Sequence, residues 1–388
     1  TDKHSPVKRA KMEKEYLKEG FFMNKEKIQE MTTWLASNQA EVAYISNPST
    51  IAYFSGFKSE PHERVLALFL SPDKDPFLFT PALEVEEAKN SGWPYDVIGY
   101  LDSEDPWKKI CSELESRYHL KRLALEKNDL TVERFEALNG FLPGTDFSLD
   151  ITPVIQKMQL TKTAAEIDTL LEAGNWADVA FEIGFSAVKE GISEMEIVAE
   201  IEYQLKKRGV SHMSFDTTVL AGANAASPHG VPGKQQIKPN ELVLFDLGVI
   251  WNGYCSDATR TIAYHEPTEL QRNIYDIVLE AELTAQAAVR PGITAGQLDE
   301  IARGVIESHG YGEYFNHRLG HGIGTTVHEF PSLITGNDLV IEEGMCFSIE
   351  PGIYIPEQVG VRIEDCIYVT ETGCVPFTKT AKELLVLN

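Results

Sequence analysis

Residues 241–262 place apolar runs on both sides of an Asn252-Gly253 pair, in the segment ELVLFDLGVIWNGYCSDATRTI. Asn-Gly between two β-rich runs is the strongest short-range hairpin signal, because a type I′ turn needs φ > 0 at both central positions. In the register that this turn sets, Asp246 and Asp257 lie on one sheet face as diagonal partners, roughly 5.5–8 Å apart. The pattern predicts a hairpin with two carboxylates on one face.

Upstream of this hairpin, the pattern from residue 24 onward alternates short strands with helices. Helical spacing occurs at 25–37, 81–90 and 107–118, and strand-like runs occur at 42–46, 65–70, 77–79 and 122–125. This alternation is typical of a mixed α/β domain. The region contains no nucleotide-binding loop and no catalytic constellation, so we expect a scaffold or a partner-facing domain.

The chain then repeats itself. Two predicted helices, 163–189 and 194–208, precede the hairpin, and the segment 191–210 aligns without gaps on 292–311. Both segments open on Gly-Ile followed by Ser or Thr, share apolar positions at helical spacing, and carry a glycine near the end. Helix-forming patterns alone could produce this similarity, but the register continues beyond the helices.

The repeat pairs acidic residues that follow the helices. The strand that ends near Asp246 aligns on the strand that ends near Glu350, and a second acid follows in each half, Asp257 in CSDATR and Glu364 in RIEDCI. A duplication of this kind predicts two similar halves around a pseudo-twofold axis. We therefore expect the matched acids to converge where the two halves meet.

Length and composition set the broad class of protein. The chain has 388 residues, 43% of them apolar, which is enough for two domains with hydrophobic cores. It has no apolar run as long as a membrane span. Its five cysteines are odd in number and form no CxxC, which predicts reduced, mostly buried thiols in a cytoplasmic protein. The formal charge of −24 disfavours nucleic acid and anionic membrane as partners.

Three segments are predicted along the chain. Residues 1–22 are highly charged and precede Met23; they are either an appended or alternative leader, with the natural start at Met23, or a genuine amphipathic first helix. The range 23–155 forms the first domain, and 156–388 forms the second.

Five positions are candidate metal ligands: the four acids that the repeat pairs, Asp246, Asp257, Glu350 and Glu364, and in addition His321. From the hairpin alone, the alternative interpretation is that Asp246 and Asp257 are two ordinary aspartates on a solvated face. Four converging carboxylates instead carry a charge of −4, which two divalent cations balance, and mixed imidazole and carboxylate ligands suit Mn, Fe, Co or Zn. Two metals about 3.5–4 Å apart can hold a bridging hydroxide and polarise a carbonyl, so the set predicts metal-assisted hydrolysis.

The motifs around these positions resemble those of the pita-bread metallopeptidases, the family of methionine aminopeptidase, aminopeptidase P, prolidase and the metal-free creatinase. The segment HRLGHGIGTTVHEFP at 317–331 occurs together with LFDLG, SDATRT, IEPGIY and GVRIED. The match covers roughly 163–388 as catalytic domain and 24–150 as creatinase-type N-terminal domain. It implies an α/β (α+β) fold, in which a pita-bread domain with pseudo-twofold duplicated halves follows a creatinase-type α/β domain. It also implies that all five positions are metal ligands.

The resemblance further implies roles for Glu350 and three histidines. Glu350 matches a ligand that also shuttles a proton from the attacking water to the leaving amine. His229, His317 and His328 match histidines that bind no metal and steady the substrate and the developing oxyanion. We therefore expect Glu350, His229 and His328 to act in catalysis, and all three histidines to contact the substrate.

Two arginines are candidate substrate-binding residues. Arg362 either fixes the orientation of Glu364, which we favour, or binds the C-terminal carboxylate of the substrate through its planar fork. Arg318 is the second candidate for carboxylate binding, since a dipeptide ends one residue past its scissile bond. His265 and His309 lie in turn-like sequence, and we predict structural roles for them.

The whole-chain resemblance favours a proline-directed member of the family, because methionine aminopeptidases generally lack such an N-terminal domain. It implies hydrolysis of Xaa-Pro dipeptides with two divalent ions, for which Mn²⁺ is the first choice and Co²⁺, Zn²⁺ or Fe²⁺ are alternatives. It also implies a homodimer, which we expect to be cytoplasmic. The nearest alternative is aminopeptidase P, which takes longer Xaa-Pro peptides. A catalytically inactive binding protein and a metal-free hydrolase of creatinase type are less favoured, because all five ligand positions are intact.

Overall fold

The computed structural model describes residues 23–227 and 230–388, so the extension 1–22 and the candidate His229 lie outside the described residues. The chain divides after Met158 into two compact units, and the second unit runs from Gln159 to Asn388. The domain boundary predicted between residues 155 and 156 falls inside a helix, Thr152–Leu160.

The first unit is built on one mixed sheet with helices. Its helices are α1 (Lys25–Ser37), α2 (Pro48–Ser55), α3 (Val85–Asn90), α4 (Pro106–Arg117), α5 (Val132–Phe141) and α6 (Thr152–Leu160). Its strands are β1 (Val42–Ile45), β2 (Ala67–Leu70), β3 (Phe77–Pro81), β4 (Asp96–Tyr100) and β5 (Leu123–Leu125). They pair in the order β4-β3-β2-β1-β5, with parallel β3/β4 and β1/β5 pairs, which confirms the predicted mixed α/β character.

Both faces of this sheet are buried. Along β1, Val42 and Tyr44 belong to one hydrophobic cluster, and Ala43 and Ile45 belong to another. This alternation follows from the strand period of two, which sends successive side chains to opposite faces. The predicted helix 81–90 is shorter than expected, because β3 extends to Pro81 and a 3₁₀ turn, Ala82–Glu84, precedes α3.

The second unit combines long helices with a large sheet. Its helices are α7 (Ala164–Ala187), α8 (Glu194–Lys207), α9 (Glu269–Ala288) and α10 (Ala295–Ser308). Its strands are β6 (His212–Met213), β7 (Thr218–Ala221), β8 (Glu241–Leu247), β9 (Val249–Trp251), β10 (Tyr254–Cys255), β11 (Ala258–Tyr264), β12 (Gly320–Gly322), β13 (Glu329–Leu333), β14 (Cys346–Ile349), β15 (Gly352–Ile355), β16 (Val359–Arg362), β17 (Glu364–Val369), β18 (Cys374–Pro376) and β19 (Val386–Leu387). Among the described residues, the main sheet runs β13-β12-β14-β17-β11-β8-β7.

The strand order of this sheet is duplicated about its centre. From the central β11/β17 pair, β11-β8-β7 leads outward on one side and β17-β14-β12 on the other. One hydrophobic cluster packs mainly residues from the first half of the unit, and a second packs mainly residues from the second half. This arrangement agrees with the pseudo-twofold repeat predicted from the sequence.

The repeated helices carry matching end signals. α8 begins with a capping box on Ser193, and α10 begins with a capping box on Thr294. In each box the cap hydroxyl accepts from the backbone amide three residues later, and the side chain at that later position accepts from the backbone amide of the cap residue. Each helix is followed by a glycine with positive φ, Gly209 at 97° and Gly310 at 82°. The local sequence therefore specifies both helices in the same way.

The hairpin prediction is confirmed. Asn252 has φ 48° and Gly253 has φ 87°, as a type I′ turn requires, and Trp251 pairs with Tyr254. Gly248 allows the two strands to approach closely, since a Cβ added there would lie 1.9 Å from the Ser256 carbonyl oxygen. The strand register therefore continues unbroken from the turn into the β8/β11 pair.

Two further sequence expectations concern cysteines and membrane spans. All five cysteines are free of disulfides, and four of them are buried. Among the described residues, no helix combines the length and the apolar composition that a membrane crossing needs.

Candidate metal centre

The central strands place the predicted acids in one row. Thr259 on β11 lies directly opposite Asp246 on β8 and directly opposite Glu364 on β17. Directly opposed residues share a sheet face, so Asp246 and Glu364 point to the same side. Glu350 follows the last residue of β14, and Asp257 precedes the first residue of β11. The two predicted halves therefore each deliver two carboxylates to one face of the sheet.

His321 brings an imidazole to the same place. One ligand atom each from Asp257, His321 and Glu364 lies within 4.8 Å of the other two. His321 Nε2 is 3.5 Å from Asp257 Oδ2 and 3.3 Å from Glu350 Oε1. These are distances at which one cation can contact several of the groups, and all of the side chains involved line a single cleft.

The protonation state of His321 suits a metal ligand. Its Nδ1 is 3.0 Å from the Gly322 carbonyl oxygen, and because a carbonyl accepts, Nδ1–H donates and Nε2 presents a lone pair to the carboxylates. Burial lowers the pKa of His321 to about 3, so the ring is neutral at physiological pH. A neutral imidazole is the form that binds metal ions.

The carboxylates carry more negative charge than their surroundings compensate. Burial raises the pKa of Asp257 and of Glu364 well above the ordinary range, and neighbouring carboxylates raise both further. Burial likewise raises the pKa of Glu350 to about 7, against the opposing effect of Arg362. Each carboxylate is therefore costly to ionise beside the others unless a cation lies among them.

Two buried oxygen atoms provide an independent test of whether a metal fits. Asp246 Oδ1 and Glu364 Oε1 have no hydrogen-bond partner among the described residues. Buried polar atoms are normally paired, and an unpaired carboxylate oxygen is especially costly. Unpaired oxygens, a neutral imidazole nitrogen and excess negative charge in one place fit divalent cations.

The remaining carboxylate oxygens are held by neighbouring side chains. Thr259 donates its hydroxyl to Glu364 Oε2 at 2.7 Å, and Ser348 donates to Glu350 Oε1 at 3.1 Å. Neither hydroxyl was identified from the sequence. Thr259 stands two positions after Asp257, and Ser348 two positions before Glu350, so strand periodicity could have indicated both.

The structure corrects the expectation that Arg362 directly fixes Glu364. Its guanidinium donates to Asp246 Oδ2 at 2.5 Å, to Thr259 Oγ1 at 3.0 Å and to Tyr354 Oη at 2.9 Å. Arg362 therefore orients Asp246 directly and reaches Glu364 only through Thr259. The side chain is only 7% exposed, and its three donor nitrogens are engaged, which disfavours it as the substrate's carboxylate site.

The acids and His321 open onto a cleft of about 850 Å³. Three other predicted residues, His317, Arg318 and His328, also line it. His317 Nε2 is 3.1 Å from Tyr354 Oη, Arg318 donates to Ser332 at 2.8 Å, and the His328 ring packs edge-on against His321 with centroids 4.3 Å apart. The structure thus places every described candidate around one cavity, while His229 lies outside the described residues.

The two histidines predicted to be structural do not line the cleft. His265, at φ 59°, packs its ring against Tyr264, and His309 lies at the end of α10 with Nδ1 3.0 Å from the Val305 carbonyl oxygen. Both contacts are local. Cleft-lining residues that sequence reasoning did not single out are Phe215, Asp216, Thr218, Gly230, Asn316 and Val327.

Comparison with known proteins gives two family matches. Metallopeptidase family M24 matches residues 168–371, and the Creatinase/Prolidase N-terminal domain matches residues 27–160. The chain is 54% identical over 367 residues to the Xaa-Pro dipeptidase of Lactobacillus delbrueckii subsp. lactis, covering 94% of this chain and 99% of that protein.

Solved structures show the same architecture. The prolidase from Pyrococcus horikoshii OT3 superposes with a TM-score of 0.86 at 36% identity, covering 93% of this chain and 100% of that one. The Xaa-Pro dipeptidase from Bacillus anthracis superposes with a TM-score of 0.86 at 34% identity, covering 93% and 99%.

Proposed function

This chain belongs to metallopeptidase family M24, with the predicted fold confirmed, and we propose that it hydrolyses Xaa-Pro dipeptides in a reaction that depends on divalent metal ions. The observation that carries the proposal is the convergence of four carboxylates and a neutral imidazole on one cleft, with two buried carboxylate oxygens unpaired among the described residues. The two relatives reported above that match nearly the whole chain, one by sequence and one by structure, are named Xaa-Pro dipeptidase and prolidase.

We assign the metal ligands as Asp246, Asp257, His321, Glu350 and Glu364. When bound, two divalent ions would lower the pKa of water and polarise the scissile carbonyl, and they would neutralise the four carboxylates. Mn²⁺ is the ion that we propose first, since a set of four carboxylates and one imidazole is rich in hard oxygen donors.

Hydrolysis requires one proton to leave the attacking water and one to reach the prolyl nitrogen as the C–N bond breaks. We assign both transfers to Glu350, whose carboxylate faces the cleft. Ser348 holds one of its oxygens, which fixes the orientation of the group without occupying both oxygens. As in the hydrolysis of any amide, the leaving nitrogen must be protonated as the C–N bond breaks, and a positioned carboxylic acid can supply that proton.

The cleft also supplies groups for the remainder of the dipeptide. We assign the C-terminal carboxylate of the substrate to Arg318, because the donors of Arg362 are engaged by Asp246, Thr259 and Tyr354. His317 and His328 line the same cavity and would contact the scissile carbonyl or the proline side. His229 keeps its assignment as a third substrate histidine on the sequence resemblance alone.

The experiment that tests this function compares an Xaa-Pro dipeptide with the matching Xaa-Pro-Yaa tripeptide, using protein that has been treated with chelator and reloaded with Mn²⁺ or Co²⁺. We expect release of free proline from the dipeptide, little cleavage of the tripeptide, and loss of activity after chelation. Preferred cleavage of the tripeptide would favour an aminopeptidase P activity instead. A reloaded protein that cleaves neither peptide would refute the proposal.

We propose further that the protein is a cytoplasmic homodimer. The five free cysteines support a reducing compartment. The net charge of −24 disfavours a nucleic-acid or anionic membrane partner. The family resemblance supports the dimer. Light scattering on the purified protein would give twice the chain mass, and a monomer mass would refute the dimer.

A further inference from the structure

A buried carboxylate on α10 collects hydrogen bonds from several segments. Asp299 is 0% exposed and accepts from Arg303 Nε and Nη2, both at 3.0 Å, in a bidentate pair four residues apart on the helix. It also accepts from the Leu319 amide at 2.9 Å and from the Thr335 amide and hydroxyl at 3.2 and 2.6 Å. One side chain therefore ties α10 to two separate segments of the chain.

Arg303 extends this contact toward the cleft. Its remaining guanidinium donors bond the Phe315 carbonyl at 2.8 Å and the His317 carbonyl at 2.9 Å, and its carbon Cζ lies 4.2 Å from the centre of the Phe315 ring. The guanidinium is thus shared between a buried carboxylate on one side and two backbone carbonyls on the other. Since Asp299 holds the fork in place, the position of these carbonyls is set by the helix.

The segment that Arg303 holds supplies three side chains to the cleft. Asn316, His317 and Arg318 all line the cavity that contains the candidate metal ligands. Residues 315–318 form neither helix nor strand, so their backbone is not fixed by a regular hydrogen-bond ladder. The placement of His317 and Arg318 therefore depends on the side chains that bond this backbone.

We propose that Arg303, held by Asp299, is a positioning residue that sets the backbone of 315–318 and thereby places His317 and Arg318 for substrate binding. The proposal rests on the function proposed above. It assigns a role in the reaction to a side chain that does not line the cleft. Arg303 acts through two carbonyls and does not bond Leu319, so its removal loosens the substrate-binding segment while leaving the Asp299 contact with Leu319 intact.

The test replaces Arg303 with Met, which keeps the length of the side chain and removes its donors. The matched control is Arg272→Met, since Arg272 also sits on a helix and also pairs with a carboxylate, that of Glu266, at 2.8 Å. Unlike Arg303 it is 45% exposed, and it does not line the cleft. For an Xaa-Pro dipeptide we expect Arg303→Met to raise KM about tenfold with kcat changed less than threefold, because binding groups common to ground and transition states affect KM. Arg303→Lys should recover part of the loss, and Arg272→Met should match the wild type.

A double-mutant comparison separates positioning from general structural support. In a His317→Ala/Arg318→Met background, adding Arg303→Met should raise KM by less than about twofold, since groups that act through one another are not additive. A full tenfold increase in that background would overturn the proposal, as would an unchanged KM in Arg303→Met alone.

Hydrogen exchange gives a readout that does not depend on catalysis. Peptides spanning 312–318 should exchange faster in Arg303→Met than in the wild type and in Arg272→Met, since this range excludes the Leu319 amide that Asp299 holds. Unchanged exchange there would overturn the positioning role even in a protein without activity. Absence of Xaa-Pro hydrolysis in the wild type, by contrast, would refute the proposed function and leave exchange to decide the positioning role.

Discussion

Two glutamates, one in each unit, have the same raised pKa and different surroundings. Burial raises the pKa of Glu126 in the first unit to about 7, and burial does the same to Glu350 in the second. Glu126 has partners on both oxygens: the amides of Ser46 and Asn47 at 3.2 and 3.0 Å, and the Thr50 hydroxyl at 2.7 Å. It joins the loop after β1 to the start of α2.

Two carboxylates of the same cleft, those of Asp246 and Glu364, lack this local satisfaction. Glu364 has one oxygen bonded to Thr259 and the other unpaired among the described residues, and it stands among three more carboxylates. The comparison teaches that a raised pKa by itself does not mark a metal site, because burial is its largest cause in both glutamates. What marks the metal site is the combination of unpaired oxygens, accumulated negative charge and a neutral imidazole.

The same substitution in the two units should have very different effects on activity. Glu364→Gln alters a proposed metal ligand, and we expect kcat/KM for an Xaa-Pro dipeptide to fall about 10³-fold, because several kcal/mol of metal-derived stabilisation would be lost. Glu126→Gln should stay within threefold of the wild type. Metal content by elemental analysis should fall in the first variant only, and equal activity losses in both would break the distinction drawn here.

Removing an orienting side chain should have a smaller effect than removing a ligand. Arg362→Met leaves Asp246 without its charged partner, and we expect metal affinity to fall about 10- to 100-fold. The loss of activity should be equal for an Xaa-Pro dipeptide and its C-terminal amide, whereas Arg318→Met should impair the dipeptide more. A dipeptide-selective loss in Arg362→Met would return the carboxylate site to that residue.

The smallest expected effect is a pH dependence in the first unit. With a folded pKa near 7 against an ordinary value of 4.5, Glu126 keeps its proton in the folded state over a range where the unfolded chain has released it. The stability that this provides is present below pH 4.5 and is lost as the pH rises through 7. Glutamine does not titrate, and its amide can still accept from the two backbone amides and donate to Thr50.

Between pH 5.5 and 7.5 the opening free energy of Glu126→Gln should therefore rise by about 1–2 kcal/mol relative to the wild type. Hydrogen exchange of peptides covering β1 and α2 measures this free energy locally. A difference that stays constant with pH would show that Glu126 is ionised in the folded protein throughout.

Local sequence signals predicted much of the fold. Asn252-Gly253 specified the hairpin and its register, because the conformational demand of a type I′ turn lies in those two residues. The Gly-Ile-Ser and Gly-Ile-Thr openings that made the repeat detectable are equally local, and they contain the capping residues Ser193 and Thr294. From the repeat followed the prediction that acids from two distant segments meet, and the geometry brings them onto one face.

The contacts that orient the site were not predictable in the same way. The Arg362–Asp246 pair joins residues 116 positions apart, and the Thr259–Glu364 hydrogen bond joins residues 105 positions apart. Both depend on which strands become neighbours in the sheet, and no local pattern encodes this. No local pattern marks Asp299, because its partners Leu319 and Thr335 lie 20 and 36 positions away in the sequence.

The most direct test of the metal site is a calorimetric titration of chelator-treated protein with Mn²⁺, carried out in parallel on the wild type and on Glu126→Gln. Four carboxylates and one imidazole predict two ions bound per chain in both proteins, with proline release from Xaa-Pro appearing as the sites fill. A wild-type protein that binds no ion, or that releases proline equally well before any ion is added, would contradict the account.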